Sequence, residues 1–262
     1  MRSLYLTCAI AVMSSQCYAT SISQGAESED LIEPSKKSIH FFKSQVSNSR
    51  SIGNALKSLL TRYPEKTTDF VSVALTAYPE DYKEIIAASV SANPSFVDEI
   101  IMVATQYQVA KPAVIVEIAV NAEPSYAGLA TNAACYYSPE YFNEIVRAAV
   151  LAQPDSADQI AQKLVKAYPN KTMEILVTTI KEVPLVGKYV LDALLATVVD
   201  DSEKSEDMII VSIEQLAQFP GAVDRLVELA SERNIDSERL KASAIKGGLN
   251  DVEIASVINK YY

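Results

Sequence analysis

Apolar residues recur along this chain with a period of fifteen residues. Eight prolines between Pro64 and Pro184 lie on one lattice of that period. If each lattice point is counted as zero, positions six, seven, ten and eleven are apolar or small in nearly every unit. Position six, for example, is occupied by Ala55, Phe70, Ile85, Ile100, Ile115, Ala130, Ile145, Ile160, Ile175 and Val190. Because these positions share one side of an α-helix, the pattern predicts one amphipathic helix in each unit.

The prolines predict where each helix begins. Ten units cover residues 49–198, and Val109, the interior lattice point without a proline, is followed by Pro112. Proline disfavours helical geometry in the residue before it but is well tolerated in the first helical turn. Fifteen residues at about 100° each also rotate the apolar stripe by roughly 60° per unit, so one continuous helix could not keep the stripe on one side. We therefore expect separate helices of about thirteen residues, each restarting on its proline.

Helices of this kind bury their stripes only against one another. Stacking successive helices would give one continuous core, which is the arrangement of an α-solenoid. The register over residues 49–198 resembles the general α-solenoid class of HEAT and tetratricopeptide repeats, with an unusually short single-helix repeat. The resemblance implies an all-α fold of about ten short helices and assigns no function to any residue.

The first nineteen residues have the pattern of a signal peptide. One Arg precedes an apolar run from Leu4 to Met13, and small residues end the segment at Ala19. A buried N-terminal helix is the alternative, and the run is too short to span a bilayer. We expect residues 1–19 to be a signal peptide of bacterial style and the protein to be periplasmic or extracellular.

Two segments flank the repeat. Residues 20–48 are polar and are predicted to be a flexible leader in which His40, Phe41 and Phe42 either pack on the first helix or form a short docking motif. Residues 199–262 hold 13 acids and 7 bases. They show helical patterns at 206–218, 221–233, 236–246 and 251–260. This polar segment is predicted to cap the solenoid, and a small helical subdomain with its own partner is the alternative.

Composition argues against several function classes. The chain has 23 Lys and Arg and 33 Asp and Glu; removing residues 1–19 leaves 22 and 33, a formal charge of −11. Such an acidic chain repels nucleic acid at long range. His40 is the single histidine, and no phosphate-binding glycine loop, CxxC or calcium-loop pattern occurs, so we predict no cofactor, no metal and no enzyme activity. A pair of catalytic carboxylates is the enzymatic alternative that the composition leaves open.

One unit of the repeat has no charged residue. It runs from Pro124 to Ser138 and includes Tyr126, Cys135, Tyr136 and Tyr137, with Tyr141 just beyond it. Tyrosine supplies apolar area with a polar tip, so these four tyrosines and Cys135 are the candidate partner-binding residues. The alternative is a better-buried middle of the stack, with Cys135 as a buried thiol.

These patterns together predict a binding scaffold. We expect an exported, non-catalytic helical-repeat protein that binds a protein or an extracellular polymer, because solenoids expose long surfaces. Self-association through the same uncharged unit, in a structural matrix or surface component, is one alternative. A carboxylate enzyme or a carrier of an apolar ligand is the other.

Overall fold

The structure, a computed structural model, describes residues 33–197 and 202–262. The predicted signal peptide and residues 20–32 of the predicted leader lie outside these stretches. Within residues 33–197 and 202–262, every regular element is helical. The first helix is α1 (Lys36–Ser47). Ten helices then cover the repeat: α2 (Ile52–Arg62), α3 (Thr67–Ala77), α4 (Tyr82–Ala92), α5 (Val97–Gln106), α6 (Pro112–Ala122), α7 (Ala127–Tyr137), α8 (Phe142–Ala152), α9 (Ala157–Ala167), α10 (Thr172–Glu182) and α11 (Gly187–Leu195). Four helices follow them: α12 (Ser202–Leu216), α13 (Pro220–Glu232), α14 (Ser237–Lys246) and α15 (Asp251–Tyr261).

Each lattice proline starts a new helix, as predicted. The residue before it leaves the helical conformation, with φ between −149° and −128° and ψ between 60° and 87° at all eight prolines. The proline opens a three-residue 3₁₀ turn, such as Pro79–Asp81, that leads directly into the α-helix. The chain turns by 119° between Pro79–Ala92 and Pro94–Gln106. Within the described residues no single helix has both the length and the apolar composition needed to cross a membrane, although these two helices together would meet those criteria if they were not bent.

The predicted stripe is the core of the protein. All residues at positions six, seven, ten and eleven are buried except Phe70 and Thr105, which are half-buried. Three of the buried residues are polar, namely Ser89, Thr131 and Thr179. Each of their hydroxyls donates to the carbonyl oxygen four residues earlier at 2.7 Å, so these side chains are satisfied inside the core.

The helices alternate between two layers, which the sequence did not predict. We call α1, α3 and the other odd-numbered helices the odd layer, and the even-numbered helices the even layer. Along most of the repeat, a helix packs more extensively against the helix two places along the chain than against its direct neighbour. The structural repeat is therefore a pair of helices that spans two periods of the sequence.

At the lattice point without a proline, Val109, the preceding helix ends in a different way. Gln108 adopts a left-handed conformation, with φ at 50°, after the end of α5. The amide of Val109 then donates to the carbonyl of Ala104 at 3.4 Å, which is the pattern of a Schellman motif. Pro112 follows as the first residue of α6. The register is kept because α6 starts at the same position of its unit as the neighbouring helices.

Part of the predicted flexible leader is helical. Residues 36–47 form α1, and the Phe42 ring is fully buried, 6.2 Å from the ring of Tyr78 in an edge-to-face arrangement. Of the three residues predicted either to pack on the first helix or to form a docking motif, only Phe42 is buried, and His40 and Phe41 are exposed. Pro34 lies fifteen residues before Ser49, so α1 is a further unit of the lattice. Its buried residue, Phe42, is at position eight instead of positions six, seven, ten and eleven. The sequence pattern therefore does not reveal this unit.

The last four helices continue both layers and end the stack. α12 packs on α10 and α14 on α12, whereas α13 packs on α11 and α15 on α13. The last two helices bury little: α14 buries Leu240 and Ala244, and α15 buries Ile254 and Ile258. The predicted all-α solenoid is therefore confirmed.

Candidate functional site

Three of the candidate tyrosines lie at the turn between α7 and α8. Tyr136 and Tyr137 end α7, and Tyr141 is the last residue of the 3₁₀ turn before α8. Tyr136 is 55% exposed and Tyr141 is 40% exposed, whereas Tyr137 is half-buried. We call these three residues the tyrosine surface. It presents aromatic area and hydroxyl groups, and two of its residues, Tyr136 and Tyr137, belong to the unit that has no charged side chain.

Tyr137 holds this surface to the neighbouring helix of the odd layer. Its hydroxyl donates to the Asp98 carboxylate of α5 at 3.2 Å. The rings of Tyr136 and Tyr137 are 5.1 Å apart and nearly perpendicular, a favourable aromatic geometry. Burial and the Asp98 charge raise the pKa of Tyr137 to about 12, so the phenol remains a hydrogen-bond donor at neutral pH.

A second aromatic pair adjoins the tyrosine surface. Phe142, the first residue of α8, packs edge-to-face on Tyr168 with ring centres 5.3 Å apart. The Lys171 ammonium lies 4.3 Å from the centre of the Phe142 ring and pairs with Glu174 at 2.9 Å. The hydrogen bond from Lys171 lowers the pKa of Glu174. Burial raises the pKa of Tyr168 to about 12, and Tyr136 is close enough to add to this shift.

Cys135 does not belong to an exposed surface. It lies at position eleven of its unit, where it is fully buried, and burial raises the pKa of its thiol to about 12. A thiol in this state is neither accessible nor ionised at neutral pH. The prediction that Cys135 contacts a partner is therefore corrected, and its alternative, a buried thiol, describes the structure. The signal was present in the sequence, because position eleven is a core position in the other units.

Tyr126 is separated from the other tyrosines by the length of a helix. It precedes α7, whereas Tyr136 and Tyr137 end it. Eleven helical residues at 1.5 Å each place the two ends about 16 Å apart. Tyr126 is half-buried against the core at the opposite edge of the stack. It is therefore not part of the tyrosine surface.

The supporting residues Asp98, Phe142 and Tyr168 were missed in the sequence. Tyr168 precedes a lattice proline as Ser138 does, two units further along and therefore in the same layer, so the lattice itself could have placed it near the α7–α8 turn. Asp98 gave no such signal, because nothing in one helix shows which side chain of another helix lies opposite.

The arrangement is suited to binding. Within residues 33–197 and 202–262, no group of three or more His, Cys, Asp or Glu side chains is placed to hold a metal ion. The tyrosine surface offers hydroxyl donors and acceptors and apolar rings, which are the groups that protein interfaces favour.

Comparisons with known proteins add no family. No protein-family model matches this chain, and no significant match was found among curated proteins or solved structures. The assignment to the α-solenoid class comes from the helices and their packing.

Proposed function

We propose that this protein is a non-catalytic helical-repeat scaffold that binds a protein partner through the tyrosine surface. The observation that carries the proposal is the pair of exposed rings, Tyr136 and Tyr141, on either side of one turn. Aromatic side chains lose less solvation energy than charged ones when another protein covers them. A solenoid presents such a surface on a rigid framework.

The contacts around the turn support binding with little loss of entropy. The Tyr137 hydroxyl is tied to Asp98, and the Tyr136 ring rests on the Tyr137 ring. Phe142, at the start of α8, is fixed between Tyr168 and the Lys171 ammonium. A surface already held in one conformation keeps more of its contact energy as affinity.

A site-specific cross-linking experiment tests this function. A photoreactive phenylalanine analogue is placed at residue 136 and, as the control, at residue 252, because Val252 is 78% exposed and lies far from the tyrosine surface in the chain. We expect cross-linked species with residue 136 and none with residue 252. The species should be lost in a Tyr141→Ala background. Equal cross-linking from both sites, or none from residue 136, would contradict the proposal.

We further propose that the protein is exported. The signal-peptide pattern of residues 1–19 supports this. Cell fractionation with sequencing of the N-terminus tests it: the exported protein should begin at Thr20. A chain that retains Leu4–Met13 in the cytoplasm would contradict export without affecting the tyrosine surface.

No observation supports the enzyme or carrier alternatives as strongly as the exposed tyrosines support binding of a protein partner. A carrier would need a tunnel along positions six and eleven, where buried side chains pack in one continuous core. Self-association has separate support, from a different part of the surface.

A further inference from the structure

The N-terminal end of the solenoid is basic although the whole chain is acidic. Between residues 33 and 66 there are seven Lys and Arg and two acids, against 23 and 33 in the whole chain. None of these seven side chains pairs with an acid among the described residues, whereas every Lys and Arg from 220 to 262 does. Lys36 and Lys37 even occupy the first turn of α1, where the helix dipole favours acids. This positive charge is not neutralised by ion pairs within the described residues, so it is available to another molecule.

Two of these seven basic residues line a groove between α1 and α3. Its lining includes Lys37, Phe41, Lys66, Asp69 and Phe70, and its volume is about 340 Å³, enough for side chains of a partner. Phe41 is 48% exposed. We call this the basic groove. Its two lysines and its exposed ring match a surface that is both acidic and apolar.

A groove of that character exists on the same chain. It lies between α9 and α11 and is lined by Pro154, Asp155, Asp158, Val186 and Tyr189. Neither aspartate forms an ion pair within the described stretches, and Tyr189 is 56% exposed. We call this the acidic groove.

An apolar side chain projects beside the acidic groove. Leu185, next to Val186, is 83% exposed. The Lys188 ammonium also lies nearby, 4.7 Å from the centre of the Tyr189 ring. Lys188 adds one positive charge beside the acidic groove, just as Asp69 adds one negative charge to the basic groove. Each groove still has more charges of its own sign than of the opposite sign.

We propose that the two grooves dock on each other between two copies of this chain. Both grooves lie in the odd layer, at the N-terminal ends of its helices, and they occupy the same place in the repeat: Lys66 and Val186 are at position two, and Asp69 and Tyr189 are at position five. A twofold rotation therefore brings the basic groove of each copy onto the acidic groove of the other. The two contacts form together and close the assembly as a dimer.

The residues halfway between the grooves allow this approach. They belong to α5, α7 and the turns before them, and Ser125, Tyr126 and Leu129, in the turn before α7 and in its first turn, carry no charge. Leu129 is 43% exposed. A twofold axis there would set α5 of one copy opposite the uncharged α7 of the other, so like charges do not meet. The tyrosine surface lies at the opposite edge of the layer and is left free.

Sedimentation velocity of the purified protein at low and high salt tests the proposal. We expect a dimer that dissociates on dilution and with added salt, because paired surface charges are screened. Lys37→Glu with Lys66→Glu should weaken dimerisation on the order of tenfold or more, and so should Asp155→Lys with Asp158→Lys. Circular dichroism of each variant checks the fold. Lys83→Glu with Lys166→Glu is the control for the lysine variant, because it makes the same change in net charge outside both grooves.

Mixing the two groove variants gives the decisive result. Each variant alone places like charges against each other, but one copy of each restores opposite charges at both contacts, so the mixture should dimerise. A protein that stays monomeric at every concentration in low salt would overturn the proposal, as would failure of the mixture to dimerise. Larger open assemblies would overturn the closed dimer. Loss of this dimer would leave cross-linking from residue 136 unchanged, so the two proposals fail separately.

Discussion

The hydroxyl of Tyr137, at the end of α7, donates a hydrogen bond of 3.2 Å to the carboxylate of Asp98, near the start of α5. This contact joins two helices of one layer that are separated by a complete helix in the chain. Replacing Tyr137 with Phe keeps the ring and removes the bond, so we expect a loss of about 0.5–1 kcal/mol in the free energy of unfolding. Tyr136→Phe is the matched control, because its hydroxyl has no hydrogen-bond partner among the described residues and its removal should change stability very little. Urea denaturation measures both; equal losses would show that the bond does not form in solution.

The same phenol gives the stability a pH dependence. Burial, with the Asp98 charge as a further cause, raises the pKa of Tyr137 to about 12 from its ordinary value of 10.0, and burial raises that of Tyr168 to about 12 as well. A pKa that is higher in the folded state favours folding fully below pH 10, and this contribution is lost as the pH rises from 10 to 12. Unfolding should therefore become easier across that range, with a shallower decline in Tyr137→Phe. Urea denaturation at a series of pH values, with phenolate absorbance, checks this prediction; an unchanged slope in the variant would contradict it.

The sequence predicted which residues are buried more completely than it predicted what they touch. The stripe at positions six to eleven and the prolines determine the helices, because a side chain's place around one helix depends only on its own sequence. The alternation of layers depends on the bend at each proline, and a short turn permits several bends. Cys135 was misplaced although its position in the unit was known. Tyr126 was misplaced because residues close in a unit can lie at opposite ends of its helix.

Gln108 is predicted to destabilise the protein slightly. Its φ of 50° costs a residue with a β-carbon about 1 kcal/mol, and glycine adopts this conformation freely. Gln108→Gly should therefore raise the free energy of unfolding by up to about 1 kcal/mol, since the side chain is exposed. Asn234, with φ at 55° after α13, is the matched control, because asparagine tolerates this region better than glutamine. Thermal unfolding should show a smaller gain for Asn234→Gly, and the reverse order would contradict this account.

Gly247 allows α14 to approach the end of α12. A β-carbon at residue 247 would overlap the carbonyl oxygen of Glu214 and would lie 2.7 Å from the β-carbon of Ala217. We expect Gly247→Ala to cost about 1–3 kcal/mol, because the two helices would have to move apart. At Gly221 a β-carbon meets nothing within 4 Å, so Gly221→Ala should be neutral or stabilise α13 by up to about 1 kcal/mol. Urea denaturation measures both, and a neutral Gly247→Ala would show that the cap packs more loosely than described.

Cys135 should be unreactive until the repeat opens. Its thiol is fully buried, and its pKa is raised to about 12 mainly by desolvation, so both access and thiolate formation are suppressed. We expect a thiol reagent to modify Cys135 at least about a hundredfold more slowly in the folded protein than in urea, because reaction requires a rare opening of the core. A cysteine at the exposed Ser58 of α2 is the control and should react at nearly the unfolded rate, with the modified residue located by mass spectrometry. Rapid reaction of Cys135 in the folded protein would mean that α7 separates readily from the neighbouring helices. The thiol would then be accessible to a partner.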